Sequence, residues 1–464
     1  MKNKKLWILM IPLMLVLFIA TLDQTIVAAS LPTIARAIGN SDQITWVTTA
    51  YLLTSAVTTL IFGKLGDLFG RKAILQIALG IFLIGSLFSG ISDNIWFLII
   101  ARAFQGIGGG GLNTLCMVVI ADLVPARERS RYLGIAGLVP AVALIAGPFL
   151  GGFITDIFSW HWIFFINLPI GILSLILIAS YLKLANPNHD SGVKIDISGS
   201  LLITVGTTTL LLTLSLAGST FAWASLQIIS LFLVALLSLI AFVFVENHTK
   251  EPITPISFFK SSIFSISSLQ FFLATAALFV GMVFTPMYFS EIRGYSATAA
   301  GSSIIPMLIG LMIASSLFGE VIARTGHYKY LAVLGSLLIG LASLLLIGLA
   351  AHTALWLILL ALFIMGFGQG AMIQVALVAG QNAVPYQQIG AATGALNFFK
   401  SLGGSFASAI FAIILTNSHS FGRTFFWIVP LMILSLILGL FMPEKPLSKE
   451  MIDVAAGKEE VPEY

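Results

Sequence analysis

The sequence predicts an all-α polytopic membrane protein, with fourteen transmembrane helices arranged as two six-helix bundles and two inserted central spans. Three observations predict it: scarcity of charge, apolar runs of membrane-spanning length, and glycine and proline patterns repeated between the halves. Of 464 residues, 58% are hydrophobic and 9% charged, and the mean hydropathy is +1.04. Soluble domains carry about 25% charged residues, so a soluble chain this long could not cover its surface. Residues 6–22, 73–91, 329–351 and 424–442 are nearly free of charge, and each run is about long enough for a helix to cross the hydrocarbon core. The ten-residue alternation of a transmembrane β-barrel is not present.

In order, the candidate spans are 7–29, 46–64, 73–92, 97–121, 132–154, 162–184, 197–217, 224–245, 262–287, 298–322, 330–350, 353–378, 390–416 and 423–442. The first could also be a signal peptide, with Ala28, Ala29 and Ser30 as its cleavage site. Asp23 late in the run, and the many spans that follow, favour an uncleaved first span. With the N-terminus in the cytoplasm, 18 of the 23 Lys and Arg fall on the cytoplasmic side, Lys64, Arg127, Arg129, Arg131, Arg324 and Lys329 among them. Arg36, Arg293 and Arg423 fall outside, and Arg102 and Lys400 stay within spans. This asymmetry follows the positive-inside rule. An even span count returns the C-terminus to the cytoplasm. The expectation is a multi-pass protein of the plasma membrane, a bacterial inner membrane.

Gly106, Gly108 and Gly110 match Gly366, Gly368 and Gly370 at an offset of 260, as Val124-Pro125 matches Val384-Pro385 and Gly134 matches Gly394. Gly63 and Gly70 match Gly319 and Gly326 at an offset of 256. Such matching between halves indicates a duplicated fold with binding at the interface. The expected division is an N-terminal bundle over 1–185, a linker with two inserted spans over 186–260, a C-terminal bundle over 261–442, and a cytoplasmic tail over 443–464.

Enzyme chemistry finds no support. Cys116 is the single cysteine, which excludes an internal disulfide and a cysteine metal site. The six histidines lie in loops or near span ends without metal spacing, and no cofactor is expected. Gly106 to Gly111 satisfies a dinucleotide-binding pattern, but no strand precedes it, and close helix packing accounts for the glycines. A net charge of +4 does not point to nucleic acid.

Gly63, Gly66, Asp67, Gly70, Arg71 and Lys72 fall in a stretch of about eight residues between spans 2 and 3. Glycines permit a tight turn, and the basic residues hold the loop at the cytoplasmic face. Asp67 is placed to cap a neighbouring helix N-terminus or to pair with an arginine. A generic basic loop would need the charges alone. The string resembles the loop signature of the major facilitator superfamily, which implies the major facilitator fold. The resemblance makes Gly63, Asp67, Gly70, Arg71 and Lys72 a conformational latch between the halves rather than substrate ligands. The second copy, from Gly319 to His327, has Ala323 where the aspartate would stand, which implies a degenerate duplicate latch.

A carboxylate within a span is costly and a functional candidate by default. Asp23 is one, although a snorkelling or capping role near the outer end of span 1 would also place it. Asp23 and Arg102 sit at nearly the same depth, given 1.5 Å per residue, and could neutralise each other as a coupling pair or as a purely structural one. With Gln105, one turn beyond Arg102, they are the candidate proton-coupling or substrate residues. Burial raises the pKa of a carboxyl and an arginine lowers it. Rocking halves that make and break the Asp23–Arg102 contact would let Asp23 take up and release a proton.

In span 5, Ala143, Gly147 and Gly151 recur at four-residue steps, so another helix can approach closely, and Pro140 and Pro148 can bend the helix. Tight packing alone would explain the glycines. The stretch Gly137, Pro140, Gly147, Pro148, Gly151 and Gly152 resembles the antiporter motif of major facilitator exporters, and this resemblance favours export over import. The stretch from Trp160 through Asn167 and Pro169 to Gly171 opens span 6; Trp160 and Trp162 suit the outer membrane interface, and an aromatic-belt anchor with a helix cap would account for it. Together with Trp46 and Tyr51 in span 2 the stretch resembles the fourteen-span drug:proton antiporter-2 family, most densely over 20–172. His161 and Lys400 stand where that family commonly has arginine. Lys400 keeps the charge but loses the planar fork; it is structural or binds an anionic group. The resemblance implies a monomer in the bilayer that exchanges protons for lipophilic or cationic drugs and toxic compounds by alternating access. Export of one dedicated metabolite, uptake of a small solute, and a transporter-like sensor are the alternatives.

Overall fold

The computed structural model describes residues 2–39, 43–124, 126–182, 184, 195–218, 220–249, 251–350, 352–445 and 447, and of residues 2–5, 126, 127, 297 and 298 the backbone alone. Pro125, the polar stretch 186–194 and the tail beyond 447 lie outside the described residues. Among those described, fourteen helical segments are long and apolar enough to cross a membrane, matching the sequence count.

The first half contains α1 (Lys2–Ile38), α2 (Trp46–Phe69), α3 (Arg71–Gly90), α4 (Ile95–Leu123), α5 (Ala126–Ile157), and α6 (Trp162–Phe165) with α7 (Asn167–Tyr181). An inserted hairpin follows, α8 (Ile197–Leu216) and α9 (Leu226–Glu246). The second half contains α10 (Ser262–Glu291), α11 (Ala297–Ser302) with α12 (Ile305–Thr325), α13 (Lys329–Leu346), α14 (Leu355–Asn382), α15 (Ile389–Ser418) and α16 (Phe421–Phe441). Two spans are broken. α12 restarts with Pro306 in its first turn and α7 carries Pro169 there, where a missing N–H costs no helical bond. Asn94, Asp196 and Ser225 cap α4, α8 and α9 by accepting from backbone N–H groups, as N-cap side chains do.

Several expected boundaries shift. α1 runs through Pro32 to Ile38, well beyond the expected end at 29, because a helix need not stop where its apolar run stops. α5 continues through both Pro140 and Pro148. The expected eight-residue loop between spans 2 and 3 is almost wholly helical: Gly70 alone separates α2 from α3, at φ +94°, a conformation that favours glycine.

The halves pack together from the Gly70 end to about mid-height. There a single apolar core joins them, with Leu79, Leu115 and Val119 from the first half and Val375, Ala392 and Leu396 from the second. Towards the opposite end the cores are separate, one around Ile26, Leu98 and Phe164 and one around Phe284, Met307 and Phe411. α15 shows the divergence along one face. Gly390 and Gly394 approach the α2 backbone at Gly63 and Thr59, Asn397 donates to Thr114 at 3.1 Å, and then Ser408, Ala412 and Thr416 are exposed. The facing side of α2 is buried at Gly63 and Thr59 and exposed at Leu52, as is Thr45 just before the helix. The structure is therefore closed at the Gly70 end and splayed at the other. α8 packs on α9 and also touches α2 and α15, so the hairpin flanks the seam between the halves. Lys64 and Glu251 tie its connecting segment to α2 at 2.7 Å.

Candidate functional site

The first half holds a closed polar cluster with no exposed member. Asp23 of α1 and Arg102 of α4 form an ion pair, Nη1 to Oδ2, at 2.6 Å. The two charges expected at equal depth thus meet. Asp23 is fully buried in the interior of a longer α1, which removes the snorkelling and capping readings. Gln105 bridges the pair: its Oε1 accepts from Arg102 Nη1 at 2.7 Å, and its Nε2 donates to Asp23 Oδ1 at 2.9 Å. The Arg102 guanidinium also lies over the Tyr51 ring, 4.3 Å from its centroid, and over Phe164 at 5.6 Å.

One member was not foreseen. Asn167, the first residue of α7, does not cap its helix. Its Nδ2 donates to Asp23 Oδ1 at 2.8 Å and to Ser86 Oγ of α3 at 3.0 Å. Asp23 therefore accepts from one cation and two neutral amides, drawn from α4 and α7. An asparagine directly after an aromatic run at a span entrance was the available signal, and an interfacial cap explained it equally well.

The second cluster closes the Gly70 end. Asp67 does both things its position allowed. Its carboxylate accepts from Gly390 N at 3.0 Å and Ala391 N at 2.8 Å in the first turn of α15, and it pairs with Arg71 at 2.8 Å. Arg71 also pairs with Asp122 at the end of α4 and donates to Tyr386 O at 3.1 Å; neither partner was foreseen. Gly63 is needed for the approach, since a Cβ there would overlap the Gly390 carbonyl. Lys72 points elsewhere, donating to Ala179 O at 2.9 Å, and so ties α3 to α7 within one half. The second loop copy is in contact despite lacking the aspartate. Ser130 donates to Gly319 O at 2.9 Å, Gln374 donates to Ser130 O, and Arg131 pairs with Glu320 at 3.1 Å.

The span 5 glycines serve two neighbours. Gly134 and Gly137 face Ser315 of α12, across the halves, while Gly147 and Gly151 face Thr25, Ile26 and Ser30 of α1. Thr25 Oγ1 donates to Ala143 O at 3.2 Å, which needs this close approach. Gly152 has open space beside it, and Pro148 is exposed. The Gly106 to Gly111 run packs against Tyr51 and Ser55 of α2 and Ala78 and Phe82 of α3, so its glycines serve helix packing. Lys400 lies midway along α15, exposed, with its Nζ 5.9 Å from the Phe271 ring centroid. No metal-holding group of His, Cys, Asp and Glu exists among the described residues.

The Major Facilitator Superfamily model matches residues 13–408. An uncharacterized MFS-type transporter of Mycobacterium tuberculosis is 37% identical over 400 residues, which is 86% of this chain and 58% of that protein. The chain thus spans little more than half the length of that relative. Multidrug transporter protein MdtP of Bacillus subtilis is 35% identical over 419 residues, 90% of this chain and 77% of its own. Among solved structures, the proton:xylose symporter XylE bound to 6-bromo-6-deoxy-D-glucose superposes with a TM-score of 0.70 at 16% identity, covering 98% of this chain and 100% of its own; at that identity the likeness concerns the fold. With the fourteen spans, the two halves closed at one end, and a family match over most of its length, the chain belongs to the major facilitator superfamily of membrane transporters.

Proposed function

We propose that the chain exports lipophilic drugs and toxic compounds from the cytoplasm in exchange for protons, by alternating access between its two halves. The buried carboxylate of Asp23 carries this reading. It is the one acid set well inside a described span, and it is held by Arg102, Gln105 and Asn167 rather than by an arginine alone. An intramembrane acid facing the bundle interior is a usual proton carrier. The splayed end would face the outside and the Gly70 end the cytoplasm, as the positive-inside rule assigns them. Rocking about the α2–α15 and α5–α12 contacts would then open the Gly70 end, and α5, which also packs on α1, would carry that motion to the helix that bears Asp23. The direction of transport rests on the α5 glycine stretch and on the multidrug name of MdtP.

Dye accumulation by everted vesicles, with and without an imposed proton gradient, tests the reading. The expected result is gradient-dependent accumulation that Asp23→Asn abolishes, with protein still inserted and folded. Full gradient-driven transport by Asp23→Asn would overturn the coupling role.

A further inference from the structure

We propose that Lys400 is the recognition point for a negative charge in the transport cavity, so that the cargo is an amphiphilic organic anion. The inference rests on the exporter reading above and names its substrate class. Lys400 is eleven residues into α15, about 16 Å from the Gly70 end at 1.5 Å per residue. A lysine at such depth is costly unless it is paired or serves a ligand. No acidic side chain pairs with it among the described residues; its ammonium lies near the ring of Phe271.

The direction of the side chain follows from its helix. Leu402, two residues on and about 200° around the helix, packs with Leu53 of α2 and Leu211 of α8. Lys400 is therefore turned away from the inserted hairpin. One turn to either side, Leu396 meets Gly380 of α14 and Gly404 meets Phe279 of α10. Lys400 shares that inward face yet is exposed, so the space before it is solvent inside the transporter rather than lipid outside it. A second unsatisfied group lies in the same half. Gln369 of α14 is fully buried, and neither its amide nitrogen nor its oxygen has a partner. It is one turn from Met365, which meets Gly281 of α10, and so faces the helix that Phe271 also belongs to.

The charge balance selects the sign of the cargo. Well inside the described spans the charged side chains are Asp23, Arg102 and Lys400. The first two neutralise each other and are closed off from solvent. A cationic compound would thus meet an unpaired ammonium and no reachable acid. A carboxylate or sulfonate on an apolar body would meet the ammonium, with aromatic and aliphatic side chains around it.

Two xanthene dyes of opposite charge, fluorescein and rhodamine 123, test this by fluorescence anisotropy with the full chain in phosphatidylcholine nanodiscs. Fluorescein should bind more tightly than rhodamine 123. Lys400→Ala should weaken fluorescein about tenfold or more, as expected for losing a charged hydrogen bond, and should not weaken rhodamine 123. Lys400→Arg should restore fluorescein binding, which separates loss of charge from loss of fold. Preference of the wild-type chain for rhodamine 123, or unchanged fluorescein binding in a folded Lys400→Ala protein, overturns the proposal. So does Lys400-dependent displacement of fluorescein by phosphatidylglycerol in the disc, which assigns the ammonium to a lipid headgroup. Transport in everted vesicles is read separately. Lys400-dependent fluorescein binding without gradient-driven movement of either dye overturns the exporter reading and leaves the anion site standing.

Discussion

Asp67→Ala should release the closed end while leaving each half folded. The carboxylate accepts two backbone N–H bonds across the halves, from Gly390 at 3.0 Å and Ala391 at 2.8 Å. A hydrogen bond to a charged group contributes about 1.5–3 kcal/mol, so the two together contribute about 3–6 kcal/mol. Both donors lie in the first turn of α15, where the helix dipole also favours a negative charge. Water reaches the freed N–H groups once the end opens, so the lower figure is the better guide. About 3 kcal/mol is more than a hundredfold in the equilibrium between closed and open ends. Arg71 keeps Asp122 of α4, so the first half retains its own network, while the bond from Arg71 to the Tyr386 carbonyl of the second half parts as the end opens. Spin labels introduced by Phe69→Cys and Gln387→Cys, both exposed positions at this end, report the opening; Cys116 is buried and does not compete for label. Pulsed electron resonance should show one short distance in the parent and an added longer population in the Asp67→Ala background. An unchanged distance distribution would refute the latch argument.

Asn167→Ala removes one donor to Asp23 and one to Ser86. It should lower stability in detergent by about 1–3 kcal/mol and slow gradient-driven dye movement; a variant neutral in both assays places Asn167 outside the site. Glu444 binds the start of α13, accepting from Tyr328 N at 2.7 Å, Lys329 N at 3.2 Å and His327 Nδ1 at 3.0 Å. Burial alone would raise its carboxyl, but these donors hold it below the usual range. A depressed carboxyl stabilises the fold above its unfolded pKa, near 4.3, and that contribution is lost as pH falls through the folded value. Glu444→Gln should therefore melt below wild type at neutral pH, with the gap closing under acid conditions. A gap that persists at low pH would show that the carboxylate charge is not what matters there.

The spans were legible because the membrane demands about twenty apolar residues for each. Their ends were not, because helix and apolar run stop for different reasons: α1 passes Pro32 to Ile38, and α2 continues through Gly63 and Gly66 to Phe69. Those glycines read as turn residues, yet Gly70 alone adopts a turn conformation. Gly63 and Gly66 instead make room for the Gly390 carbonyl and the Leu115 side chain. The Asp23–Arg102 pair was legible because two opposite charges at equal depth in an apolar medium have few alternatives. Asn167 was not, because its place after Trp162 and Phe165 is also where a helix cap belongs. Asp122 and Tyr386 join Arg71 from 51 and 315 residues away, and a charge near a span end carries no mark of which helix it will meet.

The neutral amides around Asp23 bear on how a buried carboxylate could change charge without wrecking its surroundings. Removing one charge of a buried ion pair costs about 3–5 kcal/mol when the partner is left uncompensated. Arg102 would not be left so. With Asp23 protonated it keeps Gln105 Oε1 at 2.7 Å, the Val47 carbonyl at 3.4 Å and the face of Tyr51. On the other side, Gln105 Nε2 and Asn167 Nδ2 converge on Asp23 Oδ1, while Arg102 takes Oδ2. A proton arriving on Oδ2 would displace the arginine contact alone and leave both amide bonds in place. The carboxyl group would then stay where it is while its charge changes. An arginine pair lacking these amides would lose its geometry whenever it lost its charge. That difference suits the cluster to repeated proton exchange better than to a fixed structural bridge.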